Sequence, residues 1–236
     1  QRELSAGNIT EEDWLEFQDS VMPCPGACGP MGTANTMQSI TEALGMALPH
    51  SASIPAVMAE IYRRAEESGR KIMELLREDI RPRDIMTRDA LENAIRVLMA
   101  IGGSTNAIIH LIAIARQLDI DLPLGRFEEI SRETPFIVDV KPSGRYAATD
   151  VYSAGGIPAV MKQLEPLLNL DVITVTGGTL RENLSEAEVK NPEIIRPMDD
   201  PILPEGGIAI IKGNLAPNGA VLKHSASINR DLLQHE

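Results

Sequence analysis

Apolar residues recur at spacings of three and four through most of the first 170 positions, the pattern of amphipathic helices. Ala34, Met37, Ile40 and Leu44 form one such set, with Thr33 before it as a side-chain cap and Gly45 near its end. A second helix is expected from a Ser53 cap with Pro55 in its first turn, burying Val57, Ile61, Ala65, Ile72 and Leu75 on one face until Pro82 closes it. Thr87 caps a third, which carries Leu91, Ile95 and Leu98 and stops at Gly102-Gly103. A fourth, over 107–118, is apolar on nearly every face, so the pattern predicts burial from all sides, with His110 as a hydrogen-bonded core residue. Trp14 and Phe17, three apart in an acidic first segment, mark a helix anchor.

Past Pro135 the period shortens. FIVDV (136–140) and VITVT (172–176) are β-branched runs of strand length on either side of a helical stretch over 150–168, which predicts a strand–helix–strand crossover. From Pro192 onward Pro and Gly punctuate brief apolar strands at 208–211 and 220–222. The expected organisation is α/β: a helix-rich part over 1–184, a linker over 185–205, and the opening of a separate β domain over 206–236.

Composition narrows the function. The 236 residues are 43% apolar and 24% charged, within the range of a globular protein. A net charge of -12 without a dense Lys/Arg cluster argues against binding a phosphate backbone. One Trp, three Tyr and three Phe are too few for a platform that stacks single-stranded bases. No run approaches the length of a membrane span, and QRELSAGNITEEDW resembles neither a signal peptide nor a transit peptide, so the expected location is cytoplasmic or organelle-interior.

Candidate chemistry gathers at two places. Cys24 and Cys28 flank a Pro-Gly turn. Two thiols do not complete a four-thiolate site, and CxxxCxxC would need a third at Met31. A closed metal site therefore requires His50, His110, His224 or acidic residues to join. One reading is one or two partly buried free thiols in a turn. The other places Cys28 before a helix whose positive end, with amides turned outward by Gly26, Gly29 and Gly32, would stabilise a thiolate or an anionic metal–sulfur cluster. The second place is Gly102-Gly103-Ser104-Thr105-Asn106, which either stops one helix and caps the next or presents hydroxyl, amide and backbone donors to a carboxylate or phosphate. The remaining glycine pairs, at 155–156, 177–178 and 206–207, lack nucleotide-binding motifs and read as turns, and Asp199-Asp200 as a solvated acidic turn.

The stretches PGACGPMGTANTM, EALGMALP, GGSTNAIIHLIAIA, AGGIPAVMKQL and GGIAIIKGNLAPNGAVLK, in order from about residue 21 to the end, resemble the dihydroxy-acid dehydratase family, which includes phosphogluconate and sugar-acid dehydratases. The resemblance implies an enzyme that removes water from a 2,3-dihydroxy carboxylic acid to give a 2-keto acid, using an iron–sulfur cluster, [2Fe–2S] or [4Fe–4S], and Mg²⁺. It implies that Cys28 is the third cluster cysteine and that Cys24 is not a ligand. The other cluster cysteines, the Mg²⁺ carboxylates, the modified lysine and the serine base of the family have no counterpart in these residues. The chain thus resembles an internal fragment, inactive and aggregation-prone alone, that holds the end of the α/β domain and the start of a C-terminal β-barrel domain. The resemblance further implies a small-molecule substrate, with Ser104, Thr105 and Asn106 as substrate-binding candidates, and a homo-oligomer, dimer or tetramer, at full length. SASINRDLLQH after GAVLKH is closer to the sugar-acid enzymes, so branched and sugar acids both stay open. A non-catalytic anion-binding or assembly module on the same scaffold is the competing class.

Overall fold

The computed structural model describes residues 2–21, 25–227 and 233. Its helices are α1 (Arg2–Ser5), α2 (Glu11–Val21), α3 (Thr33–Ala43), α4 (Glu60–Arg77), α5 (Pro82–Ile85), α6 (Arg88–Ala100), α7 (Asn106–Gln117), α8 (Leu124–Glu133), α9 (Ala148–Ser153), α10 (Gly156–Gln163) and α11 (Leu180–Asn183). Strands β1 (Ala209–Gly213) and β2 (Ala216–Leu222) close the chain as an antiparallel hairpin, with Ile210 opposite Val221. The helix-rich α/β reading holds, and the two expected C-terminal strands form. No helix among the described residues is long and apolar enough to cross a membrane.

Helix α6 is the centre. Thr87 caps it as expected, its hydroxyl accepting from the Ala90 amide at 3.3 Å. Leu91, Ile95 and Leu98 face one apolar cluster with Ile40, Leu44, Ile108, Leu111, Phe127, Ile130 and Ile208. Val97 and Ala100 face a second cluster with Ile137, Val151, Ile157, Val160, Leu164 and Ile195. A helix with a core on both sides buries its polar residues too, and Asn93 and Arg96 both find partners, although Arg96 Nε has none among the described residues. Asn93 exchanges two hydrogen bonds with the Asn169 backbone at 2.8 and 2.9 Å, and Arg96 meets Glu133 at 2.9 Å.

Four expectations change. The helix buried from all sides is α6, not α7: α7 buries only Ala107, Ile108, Leu111 and Ala115, while Ile109 is 68% exposed and His110 is exposed rather than in a core. Thr33 is the first residue of α3, not its cap; the cap position is Gly32, and the Thr33 hydroxyl is engaged elsewhere. The Ser53 helix starts only at Glu60: residues 50–59 form turns, the first of them held by the Glu42 carboxylate, which accepts the backbone amides of His50 and Ala52. Of the expected buried face of α4 only Leu75 is buried.

The crossover unit also does not form. Residues 136–140 make isolated antiparallel bridges to Leu203 and Ile195, and Ile173 bridges to Thr179 six residues on. The partner stretch contains Pro197, Pro201 and Pro204, each lacking an amide proton, so a ladder there cannot propagate beyond single bridges. Trp14 and Phe17 do lie on α2, their rings stacked with centroids 5.7 Å apart.

Candidate active site

The loop before α3 is fixed from three sides. Asn35, in the first turn of α3, donates from Nδ2 to the Cys28 carbonyl at 2.6 Å and to the Pro30 carbonyl at 2.8 Å. The Ala148 amide at the start of α9 donates to Gly29 O at 2.7 Å, and the Met31 amide donates to Lys141 O at 2.6 Å. Gly26, at φ +114°, lies so close to the 52–58 turn that a Cβ there would meet Ala56 Cβ at 2.6 Å. A side chain at position 26 would separate the two segments.

Cys28 is a free, exposed thiol. Its Sγ lies 3.9 Å from where a Cβ on Gly32 would be, which puts the sulfur beside the cap position of α3. It opens on a cleft of about 470 Å³ whose polar lining includes Asn35, Gln38, Ser53, Thr149 and Asp150. The Ser53 hydroxyl is buried there with no hydrogen-bond partner among the described residues. An apolar cavity of about 300 Å³, between α4 and residues 46–48, lies apart from these groups.

Ser104 and Asn106 meet Thr33 on the same first turn of α3. Thr33 Oγ1 is 2.9 Å from Ser104 Oγ and accepts from Asn106 Nδ2 at 2.9 Å, and the Asn106 amide donates to Ser104 Oγ at 3.3 Å. The Ser104 amide in turn donates to Thr36 Oγ1 at 2.9 Å. The side chain of Thr105 takes no part in this network. The backbone approaches this closely only because positions 102 and 103 are glycine: a Cβ on Gly103 would meet Leu98 and Thr36 at 2.6 and 2.7 Å, and one on Gly102, at φ +53°, would meet Phe136 at 2.8 Å. The Cys28 loop and the Ser104–Asn106 segment are thus joined through α3 rather than in direct contact.

Sequence spacing did not point to Glu42. It is buried on α3, and both carboxylate oxygens accept backbone amides, from His50 at 2.7 Å and Ala52 at 2.8 Å. Those bonds and nearby Arg64 favour the anion, yet loss of water outweighs them and pushes the carboxyl up to about 7. Burial likewise pushes the His50 imidazole down, assisted by Arg64 and Lys190. Glu42 pins the turn that forms one wall of the cleft. Glu42 shares its face of α3 with Asn35, Gln38 and Ser39, so along the sequence it reads as one more polar residue of a solvated face.

The donor set for a metal is incomplete. Among the described residues no three of His, Cys, Asp and Glu converge to hold a metal ion. His224 is turned to the Gly206 carbonyl at 2.7 Å, and Asp200 pairs with Arg196. One thiolate does not hold an iron–sulfur cluster, which needs three or four ligands, so the described residues do not fit a complete cluster or Mg²⁺ site. Cys24 lies outside the described residues.

Two consecutive parts of the chain match dehydratase models. The dihydroxy-acid/6-phosphogluconate dehydratase N-terminal model covers residues 1–183 and the corresponding C-terminal model covers 193–236. The class is therefore that of dehydratases, and the chain belongs to the dihydroxy-acid/6-phosphogluconate dehydratase family. Its relatives include proteins named dihydroxy-acid dehydratase from Acetivibrio thermocellus, 48% identical over 98% of this chain and 42% of the relative, and from Sulfurisphaera tokodaii, 51% identical over 94% and 41%. A third, from Ignicoccus hospitalis, is 49% identical over 94% of this chain and 40% of its own length. The chain spans about four tenths of the length of the curated relatives it matches.

Proposed function

We propose that this chain is part of a hydro-lyase that removes water from a 2,3-dihydroxy carboxylic acid: the C2 proton and the C3 hydroxyl leave, and the resulting enol becomes a 2-keto acid. The observation that carries this reading is the Cys28 loop, held by α3, α9 and Lys141 so that one free thiol stands at a helix start beside a cleft lined in part by polar side chains. In this reading Cys28 is one thiolate ligand of an iron–sulfur cluster, [2Fe–2S] or [4Fe–4S]. Ser104 and Asn106, assembled with Thr33, supply hydrogen-bond donors to an anionic group of the substrate, with Thr105 beside them. Of the residues described, Cys28 alone would hold the cluster, which in the complete enzyme would supply Lewis acidity toward the departing hydroxyl, while Mg²⁺ would offset the carboxylate charge. The other ligands are assigned to parts of the whole protein outside this chain, and the 236 residues alone are expected to be inactive.

The test uses the whole protein, reconstituted anaerobically with iron, sulfide and Mg²⁺. Keto-acid formation is measured on 2,3-dihydroxyisovalerate and on a panel of C5 and C6 aldonates. Turnover of either class supports the hydro-lyase, and preference separates a branched-acid enzyme from a sugar-acid one. Inactivity on all of them with a loaded cluster overturns the reading in favour of an anion-binding scaffold. Cys28→Ser is expected to lose bound iron and activity together; retention of both removes Cys28 from the cluster.

A further inference from the structure

Two walls of the Cys28 cleft are held by one helix. On α3, Asn35, Ser39 and Glu42 follow at spacings of four and three, which puts them on one face. Asn35 donates to the Cys28 and Pro30 carbonyls and so holds the Cys28 loop. Two turns on, Glu42 holds the other wall, the turn over 50–58, by accepting the amides of His50 and Ala52. Ser39 lies between them and lines the cleft, as do Ala52, Ser53 and Ala56 of the turn. The two walls meet where Gly26 approaches Ala56.

Few other hydrogen bonds fix the turn. Among the described residues, the other amides over 50–58 with an acceptor are those of Ser51 and Met58, bonded to the Leu48 and Pro55 carbonyls three residues back. The His50 imidazole meets the Gly155 backbone, while the Ser53 hydroxyl has no partner among the described residues. His50 sits at φ +65°, in the left-handed region that a side chain disfavours. A residue in that conformation persists where its surroundings fix it, and here the carboxylate holds the His50 amide itself. Glu42 is 3% exposed and forms no ion pair among the described residues; nearby Arg64 is paired with Glu60 and Glu67. Both oxygens of a buried acid are thus spent on the backbone of one turn.

We propose that Glu42 is a positioning residue for the dehydratase site: it holds the 50–58 turn in register with the Cys28 loop, and that turn is the wall against which the 2,3-dihydroxy acid packs. This rests on the dehydratase reading above. It goes beyond that reading by giving the substrate a contact on a turn with no catalytic group, aligned by an acid that touches neither substrate nor cluster. Because both walls are anchored on α3 and meet at Gly26, a loosened 50–58 turn also loosens the Cys28 loop.

The experiment uses the whole protein, reconstituted with iron, sulfide and Mg²⁺, at pH 8, where the Glu42 carboxyl is largely ionised. 2-Hydroxyisovalerate, which lacks the C3 hydroxyl, is the probe, since it binds but cannot eliminate. In the unmutated protein, hydrogen exchange read by peptide mass spectrometry should slow at 50–58 and at 25–31 when the probe binds, and stay unchanged over α8. Glu42→Gln keeps the shape but turns an NH₂ toward one of the two amides. It is expected to exchange about fivefold faster at 50–58, the scale of one hydrogen bond lost from a local opening. Its KM should rise about tenfold with a smaller loss in kcat, and calorimetry should show a matching loss of probe affinity at unchanged iron content. A purely structural Glu42 would lower the melting temperature and leave KM at the parental value. Bound probe without protection at 50–58 in the unmutated protein, or a parental KM in Glu42→Gln, overturns the proposal. The first of these needs no variant and decides even where Glu42→Gln fails to fold. An unmutated, loaded protein that binds neither the probe nor a substrate of either class overturns the dehydratase reading instead.

Discussion

At the scale of single residues, Glu42 couples the stability of the fold to pH. Its carboxyl titrates at about 7 in the folded chain, above the ordinary 4.5, because burial outweighs the two amide bonds and Arg64. Below about pH 4.5 it is neutral in both folded and unfolded states, and its contribution to stability is fully present. Between about 4.5 and 7 the unfolded chain releases the proton that the folded chain retains, so stability falls as pH rises, by an amount on the order of 3 kcal/mol for this group. Denaturant midpoints from pH 4.5 to 8 should show this fall. Glu42→Gln keeps the shape without the titration, but turns an amide NH₂ toward one of the two backbone N–H groups. It is therefore expected to be less stable than the parent at pH 5, by a margin that narrows toward pH 7. A margin that widens with pH would assign the shift the wrong sign. The same side chain holds the turn ahead of Ser53 through the amides of His50 and Ala52, contacts with an acid eight and ten residues earlier that a reading of the local chain does not contain.

At the scale of elements, α6 is the helix that the rest of the chain is built around, so its ends have measurable value. Thr87→Ala removes a cap bond of 3.3 Å and should lower stability by about 1 kcal/mol. Gly103→Ala forces a methyl into Leu98 and Thr36 and should cost about 1–3 kcal/mol through overpacking. Thermal melts of the two variants against the parent check both, and the glycine change should also loosen the Ser104–Thr33 contact that the adjoining loop supports. Local chemistry made these features legible: Thr before an apolar stripe and a glycine pair after it marked the helix ends, and Cys28 before a helix start marked the loop. Tertiary partners were not legible. FIVDV has every property of a strand, yet its neighbours in space are proline-broken residues at 195 and 203, and no window of sequence around 136–140 contains that fact. Thr33 reads as a cap because it precedes a helical pattern, but its hydroxyl is drawn to Ser104 and Asn106, more than 70 residues away.

For the whole molecule the deciding feature is the face of α4. Ile61, Tyr62, Ala65, Ile72, Met73 and Leu76 fall within one arc of the helix, and Tyr62 and Leu76 are 78% and 70% exposed. The other side carries ion pairs between Arg63 and Glu60, Arg64 and Glu67, and Arg70 and Glu66. Periodicity identified an apolar face here and on α7, and burial was the natural inference; the sequence of one segment does not say what lies against a face. Exposed Ile109 on α7 adds to the apolar surface of a chain four tenths as long as its relatives. A net charge of -12 opposes close approach of two copies at low ionic strength and does so less as salt screens it. Surface apolar area does not weaken with salt in that way. The isolated chain is therefore expected to self-associate with rising concentration, more strongly at 0.5 M than at 0.05 M salt, by light scattering. Ile72→Glu with Leu76→Glu should reduce the association, because it breaks the centre of the α4 face while leaving Leu75, the buried residue of that helix, in place. Monodisperse scattering of the unmutated chain at both salt concentrations would mean that the exposed face of α4 is too divided by polar neighbours to act as a patch. Association untouched by the double substitution would move the cause to another surface, with Ile109 on α7 the next to change.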